Sequence, residues 1–243
     1  MKALAFNGSP RKQPWTTATL LENALAGAAS CGAETKLYHL GDYHFSGCRS
    51  CYYCKTLEHA DEARCAVRDD LSPLLEEIRE ADVLFLGSPV YYYCETGMFR
   101  NFLERLLFPY SVMTAGSRTQ FPRILPVVMF YAMNIRKDQL TERASPPFPP
   151  HFSLSCVTDT PFFLSRCFGH CETFLCHETL QVKNYHRFRM GLRDADARTA
   201  RHENIFPGEC RKAYELGARL VTNPPGERQL QWQREDSRQL DHG

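Results

Sequence analysis

The feature that most constrains this chain is a short apolar run, Lys2 to Asn7, that ends at once in Gly8-Ser9-Pro10 and gives way to a helix-periodic segment. An apolar run closed by Gly and Pro reads as a buried strand ending in a loop. Leu20, Leu21, Ala24, Leu25 and Ala28 then recur at helical spacing, which predicts a helix over 17–29 with Thr16 or Thr17 at its N-cap. Glu34 to Leu40 reads as a second strand. Strand, loop, helix, strand is the unit from which a parallel sheet is built.

The pattern repeats downstream. Residues 70–81 read as a helix whose start suits Asp69 and Asp70. Val83 to Gly87 is a continuous apolar strand of the kind covered on both faces, stopped by Ser88-Pro89. A helix over 98–107, a strand over 124–131, a strand over 173–182 and a closing helix over 203–221 complete the reading, with a Pro-rich surface loop at 144–152. The expected fold is α/β: a doubly wound, parallel, five-stranded sheet with helices on both faces. The expected organisation is one domain over 1–221, a Cys-rich insertion at 41–70 and a polar tail over 222–243. Such sheets bind ligands beyond the carboxyl ends of their strands, at the switch point in strand order.

The 243 residues carry a formal net charge of +1, with 43% hydrophobic and 23% charged residues. That balance gives no basic excess of the sort a nucleic-acid binder carries. The N-terminal apolar run is too short for a signal peptide, and no segment approaches the roughly 20 apolar residues of a membrane helix. The expectation is a cytoplasmic protein with no membrane partner. The 11 cysteines then point to metal, cluster or redox chemistry before structural disulfides.

Two loops and one cysteine run carry chemistry. Gly8-Ser9-Pro10-Arg11-Lys12, leading to Thr16-Thr17 at a helix start, offers backbone N–H groups, hydroxyls and a guanidinium to an anion. It matches neither the nucleoside-triphosphate loop nor the dinucleotide fingerprint, and it suits a solvated turn with a hydroxyl cap equally well. Gly87-Ser88-Pro89-Val90-Tyr91-Tyr92-Tyr93 offers aromatic and apolar walls to a flat ring. The tyrosines also suit packing beneath the loop. Cys48, Cys51 and Cys54 are spaced Cys-x2-Cys-x2-Cys, with Cys65 ten residues further on. Compact runs of this kind suit an iron–sulfur cluster better than zinc, which favours separated pairs. A cluster, a free redox-sensing thiol set and zinc all remain open. Cys94, in the second loop, reads as a small buried residue before a reactive one. Cys167, Cys171 and Cys176, with His170 and His177, match no ligand spacing and read as structural. Lys183 to Arg189 reads as an amphipathic surface segment.

These segments together resemble the NAD(P)H-dependent FMN reductase and iron–sulfur flavoprotein group. The likeness rests on Gly8-Ser9-Pro10-Arg11, Gly87-Ser88-Pro89-Val90-Tyr91, Phe99-Arg100-Asn101-Phe102-Leu103-Glu104-Arg105, Thr179 to Tyr185, and Ala213-Tyr214-Glu215-Leu216-Gly217. The resemblance implies a flavodoxin-like fold with bound FMN, its phosphate held by Ser9, Arg11, Thr16 and Thr17 and its ring lined by Pro89, Val90, Tyr91 and Tyr92. No protein acid or base is assigned, because the flavin's hydride chemistry requires none. The resemblance implies a [4Fe–4S] cluster on Cys48, Cys51, Cys54 and Cys65 in those members that carry one, although their last gap is usually shorter. Its implied reaction takes electrons from NAD(P)H to a flavin, quinone or metal cluster. The alternatives are an FMN and [4Fe–4S] electron carrier fed by ferredoxin, and a zinc-stabilised binding module. A homo-oligomer is the family expectation. Trp15-Thr16-Thr17 stands where relatives commonly have Gly-Asn-Thr, and Tyr131-Ala132-Met133-Asn134 where a third flavin loop is often Gly-rich.

Overall fold

The structure is a computed structural model and describes residues 1–113, 119–137, 156–190 and 194–226. Strands β1 (Lys2–Asn7), β2 (Glu34–His39), β3 (Val83–Pro89), β4 (Leu125–Ala132) and β5 (Gly169–Cys176) form one parallel sheet in the order β2-β1-β3-β4-β5. This is the doubly wound parallel sheet that the strand–helix alternation predicts, in the flavodoxin-like order that the resemblance implies. The order reverses between β1 and β3, which places the switch point there.

Alternation along the central strands sorts residues to two cores. Ala3, Ala5, Val83, Phe85, Val128 and Phe130 face α1 (Thr16–Ser30) and the closing helix. Leu4, Phe6, Leu84, Leu86, Val127 and Met129 face the other layer, with α2 (Leu71–Glu80), α3 (Gly97–Leu107) and α4 (Cys156–Phe168). On the first face the two helices approach backbone to backbone. A Cβ added at Gly27 would lie 1.9 Å from the Tyr214 carbonyl oxygen, and one at Gly217 would lie 1.9 Å from that of Ala24.

The elements differ from the sequence reading in places that matter. Trp15, not a threonine, is the N-cap of α1, and no side chain caps it. Thr16 and Thr17 are buried in the first turn instead. Strand β3 continues through Ser88 and Pro89, which pair with Tyr131 and Ala132. Pro89 is tolerated because it is the last residue of the strand, where a missing N–H costs little. Strand β5 spans Gly169–Cys176 rather than 173–182. It is an edge strand with only its two ends buried, so its hydrophobic period is weak. The closing helix is two helices, α5 (Ala195–Asn204) and α6 (Phe206–Thr222). Asp194 caps α5 by accepting from Ala197 N at 2.9 Å. Pro207 sits in the first turn of α6, where its missing N–H has no intrahelical partner to lose. Helix α4 has no counterpart in the reading, because Pro161 lies inside it. The Pro-rich 144–152 stretch and most of the 222–243 tail lie outside the described residues. Among the described residues no helix is long and apolar enough to cross a membrane.

Candidate functional site

At the switch point one buried side chain, Asn7, organises the first loop. Its Oδ1 accepts from Ser9 N at 2.9 Å, and its Nδ2 donates to the Arg11 carbonyl at 3.0 Å. The second Nδ2 proton points at His39 Nδ1, 3.0 Å away. Burial first, and then the nearby Lys12 charge, hold His39 below its usual titration range, so its ring nitrogen is free to accept. Ser9 Oγ accepts from Arg11 N at 3.1 Å. The loop is therefore folded by its own side chains before any ligand arrives.

Helix α3 locks the same loop from below. Thr96 Oγ1 donates to the Gly8 carbonyl at 2.7 Å and caps α3 by accepting from Phe99 N at 3.2 Å. Gly8 is required by close approach, since a Cβ there would stand 2.4 Å from Phe99. In the second loop, Tyr91 and Cys94 form a two-bond bridge around Tyr92 and Tyr93, with φ of 47° and 66°. Positive φ at both central residues is the type I′ geometry that usually takes Asn and Gly. Two tyrosines there store backbone strain of the kind that concentrates at functional sites.

Seven of the eight residues assigned to the flavin from sequence line one cavity of about 170 Å³: Ser9, Arg11, Thr16, Thr17, Pro89, Val90 and Tyr91. Tyr92 does not; it projects into solvent at 98% exposure. The cavity also takes Trp15, Ala132, Met133, Asn134, Thr179, Leu180, Gln181 and Met190. The last four belong to the chain after β5. With that strand ending at Cys176, the next residues turn back over the site, where Thr179 N donates to Met133 O at 3.0 Å. The Arg11 guanidinium donates to Gln181 O at 2.5 Å and stacks on Trp15 at 4.3 Å. Two features suit a phosphorylated flat ring. The first turn of α1 has neither an acidic residue nor a side-chain cap, so its amides are open to an anion. Asn134 Oδ1 is buried with no hydrogen-bond partner, as an acceptor reserved for a ligand N–H would be.

A second site lies at the Cys-rich loop. Cys48, Cys51, Cys54 and Cys65 all line one small cavity against Glu104, Arg105 and Phe108. Arg105 closes both ends of the loop. Its fully buried guanidinium donates to Ser46 O at 3.1 Å on one side, and to Val67 O at 3.0 Å and Asp69 at 2.8 Å on the other. Burial opposes ionisation of Asp69, but the Arg105 hydrogen bonds and charge outweigh it and hold the carboxyl below its usual range. Lys55 Nζ ties the middle of the loop to the turn that follows α3 through Pro109 O and Ser111 O, at 2.9 and 2.6 Å. Burial raises the Cys54 thiol, partly offset by Lys55. Arg105 Nε is buried without a hydrogen-bond partner. Among the described residues no group of three or more His, Cys, Asp or Glu is placed to hold a single metal ion. Zinc bound at about 2.3 Å per sulfur needs tighter convergence than a multi-iron cube.

The other cysteines have different surroundings. Burial pushes Cys167 and Cys171 up to about 12. Cys176 is raised by burial and donates to Glu209 at 3.0 Å. His177 lies one residue beyond the end of β5. Lys183–Arg189 holds a short turn over Tyr185–Arg187, with Tyr185 buried and Phe188 exposed.

Residues 1–121, which hold the first loop, the thiol loop, the second loop and α3, match the NADPH-dependent FMN reductase family. That match covers just under half of the chain. The chain is 35% identical over 105 residues to an iron–sulfur flavoprotein of Archaeoglobus fulgidus, covering 43% of this chain and 48% of that one. It is 34% identical over 105 residues to an iron–sulfur flavoprotein of Methanocaldococcus jannaschii, covering 43% and 51%. The chain thus spans about half the length of the curated relatives it matches. Among solved structures, an NAD(P)H:quinone oxidoreductase from Methanothermobacter marburgensis superposes with a TM-score of 0.61 at 13% identity, covering 90% of this chain and 98% of that one. At that identity the likeness is one of fold. The FMN reductase match stops short of β4 and β5, so Asn134 and Thr179 to Gln181 enter the site through tertiary structure.

Proposed function

We propose that this chain is an FMN-dependent oxidoreductase that takes electrons from NAD(P)H and delivers them to a small-molecule acceptor such as a flavin or quinone, or to a metal cluster. The observation that carries this reading is the convergence of the open α1 N-terminus, Arg11 and the orphaned Asn134 Oδ1 on one cleft at the switch point. Ser9, Thr16, Thr17 and Arg11 would hold the phosphate through hydroxyls, amides and charge. Pro89, Val90 and Tyr91 would wall the ring, with Asn134 accepting from its polar edge. When bound, FMN supplies the hydride and single-electron chemistry. The protein positions the ring and shields one face. A cleft of about 170 Å³ is smaller than closed small-molecule pockets of roughly 300–1,000 Å³, so part of the flavin would stay at the mouth, within reach of a nicotinamide. Tyr91, 45% exposed, stands at that mouth.

The four thiols lining one cavity favour a second cofactor, a [4Fe–4S] cluster on Cys48, Cys51, Cys54 and Cys65, in a protein of the iron–sulfur flavoprotein kind. Such a carrier could be fed by ferredoxin instead of a nicotinamide, and a homo-oligomer fits the same reading. Anaerobically purified protein should show two flavin bands, with a broad brown shoulder if the cluster is present. NADPH or NADH should bleach the flavin rapidly. Bleaching by reduced ferredoxin alone would select the carrier reading. A colourless protein that takes up neither FMN nor iron would remove both.

A further inference from the structure

Beside the thiol loop lies a cavity of about 410 Å³ that shares no lining residue with the flavin cleft. One wall is a single face of α3, with Arg100, Leu103 and Leu107 at helical spacing. The opposite wall is Phe163 of α4, half-exposed. The floor is the thiol loop, where Cys48 and Tyr52 line this cavity and the four-thiol cavity alike. The Tyr52 ring stands edge-on to Phe108, with centroids 5.9 Å apart. Ser50 and Tyr52, both lining residues, hold φ of 52° and 56°, conformations that cost a non-glycine residue free energy. The volume falls within the range of small-molecule sites; Tyr52, Leu103, Leu107, Phe108 and Phe163 supply apolar and aromatic walls, and Ser50, Glu104, Ser111 and Thr160 add polar groups beside Arg100. Arg100 supplies a cation at 46% side-chain exposure, steadied by Glu95 at 3.5 Å and Thr160 at 3.4 Å.

We infer that this cavity is a second ligand site, for a flat aromatic carbonyl compound of the quinone class, held between Tyr52, Phe108 and Phe163 with its polar end toward Arg100. Aromatic walls recognise a flat ring by stacking and edge contacts, and a guanidinium recognises a carbonyl or acidic substituent. A flexible lipid tail or a peptide would not need three aromatic walls and a cation at one end. The inference rests on the oxidoreductase reading for its consequence: a ring seated here touches Cys48 and not the flavin cleft. Each quinone reduced to hydroquinone would take up two electrons, released by flavin that the nicotinamide has reduced, and two protons from water.

Equilibrium dialysis of the holoprotein against anthraquinone-2-sulfonate tests the site directly, since the fused rings of that probe leave no position for a thiol to add. One equivalent should bind. Phe163→Ala and Tyr52→Ala, at half-exposed positions, should each weaken binding about tenfold, and Tyr91→Ala should leave it unchanged. Flavin content and the rate of NADPH bleaching should stay at the parent level in Phe163→Ala. No binding, or binding that Tyr91→Ala abolishes and Phe163→Ala spares, would overturn the inference and put the ring over the flavin. A failure of NADPH to bleach the flavin would count against the oxidoreductase reading alone, while the dialysis still decides the site.

Discussion

Arg105 and Asp69 meet in a two-pronged ion pair, Nη1 to Oδ2 at 2.8 Å and Nη2 to Oδ1 at 3.3 Å, with the arginine side chain wholly buried. The pair joins α3, which also bears on the flavin loop through Phe99, to the last residues of the thiol loop. Because Arg105 also holds Ser46, both ends of a loop more than 20 residues long are fixed by one side chain. Arg105→Ala leaves Asp69 charged and unpaired in a mostly buried position. It should cost about 3–5 kcal/mol of stability, measured by urea denaturation. Any iron bound on anaerobic reconstitution should fall well below the parent, with FMN uptake far less affected. Equal loss of both cofactors would show that the guanidinium serves the whole domain and not the thiol loop.

Acid should weaken the fold through its paired carboxylates. The hydrogen bond from His170, aided by Arg219 and against some burial, lowers Glu172 to about 2. Asp69 is lowered too. A carboxylate whose folded pKa lies below its unfolded value of roughly 4 stabilises the fold above that value. That stability drains away as pH falls from about 4 toward the folded pKa. Arg219 and Glu172 are partly exposed, so their share is about 1 kcal/mol after screening. Urea midpoints taken between pH 6 and pH 3 should fall with acid, and Glu172→Gln should fall less steeply. Parallel curves would remove Glu172 from the account.

Asn7 is the side chain on which the Gly8–Lys12 loop is hung. Asn7→Leu keeps the size but leaves Ser9 N and the Arg11 carbonyl without their partner. It should cost about 2–3 kcal/mol and weaken FMN binding at least tenfold, read from quenching of flavin fluorescence. Unchanged affinity in a folded variant would mean that the loop holds its shape without Asn7.

The approach of α1 and α6 has no room for a methyl group. Gly217→Ala should destabilise by about 1–3 kcal/mol through overpacking, against the small gain that alanine brings in an open helix. Thermal denaturation would read this, and a neutral or stabilised variant would show that the two helices can part at no cost.

Much of this was legible in one dimension. Apolar runs closed by Gly and Pro gave β1 and β3, and helical spacing gave α1, α2 and α3, because elements buried on two faces or one stripe leave a strong hydrophobic period. The edge strand β5 carries a weak period, and α4 carries an internal proline that argues against a helix, so the first is displaced in the sequence reading and the second absent from it. In the cleft at the switch point, Ser9, Arg11, Thr16 and Thr17 were legible as neighbours because they sit on one strand-to-helix turn. Asn7 was not, since its role is set by a ring 32 residues away. Thr179 to Gln181 were hidden inside a strand that ends earlier than its sequence suggests.

What the sequence alone determined is the alternation, the loop chemistry and the spacing of four cysteines, all properties of neighbours along the chain. The tertiary structure decided which thiols share a cavity, that Arg105 fastens their loop, that Tyr92 turns outward and that Asn134 lines the switch-point cleft. Those outcomes depend on which surfaces the sheet order brings together. Local propensity has no access to that, because the free energy that selects them comes from burial and hydrogen bonding between segments distant in sequence.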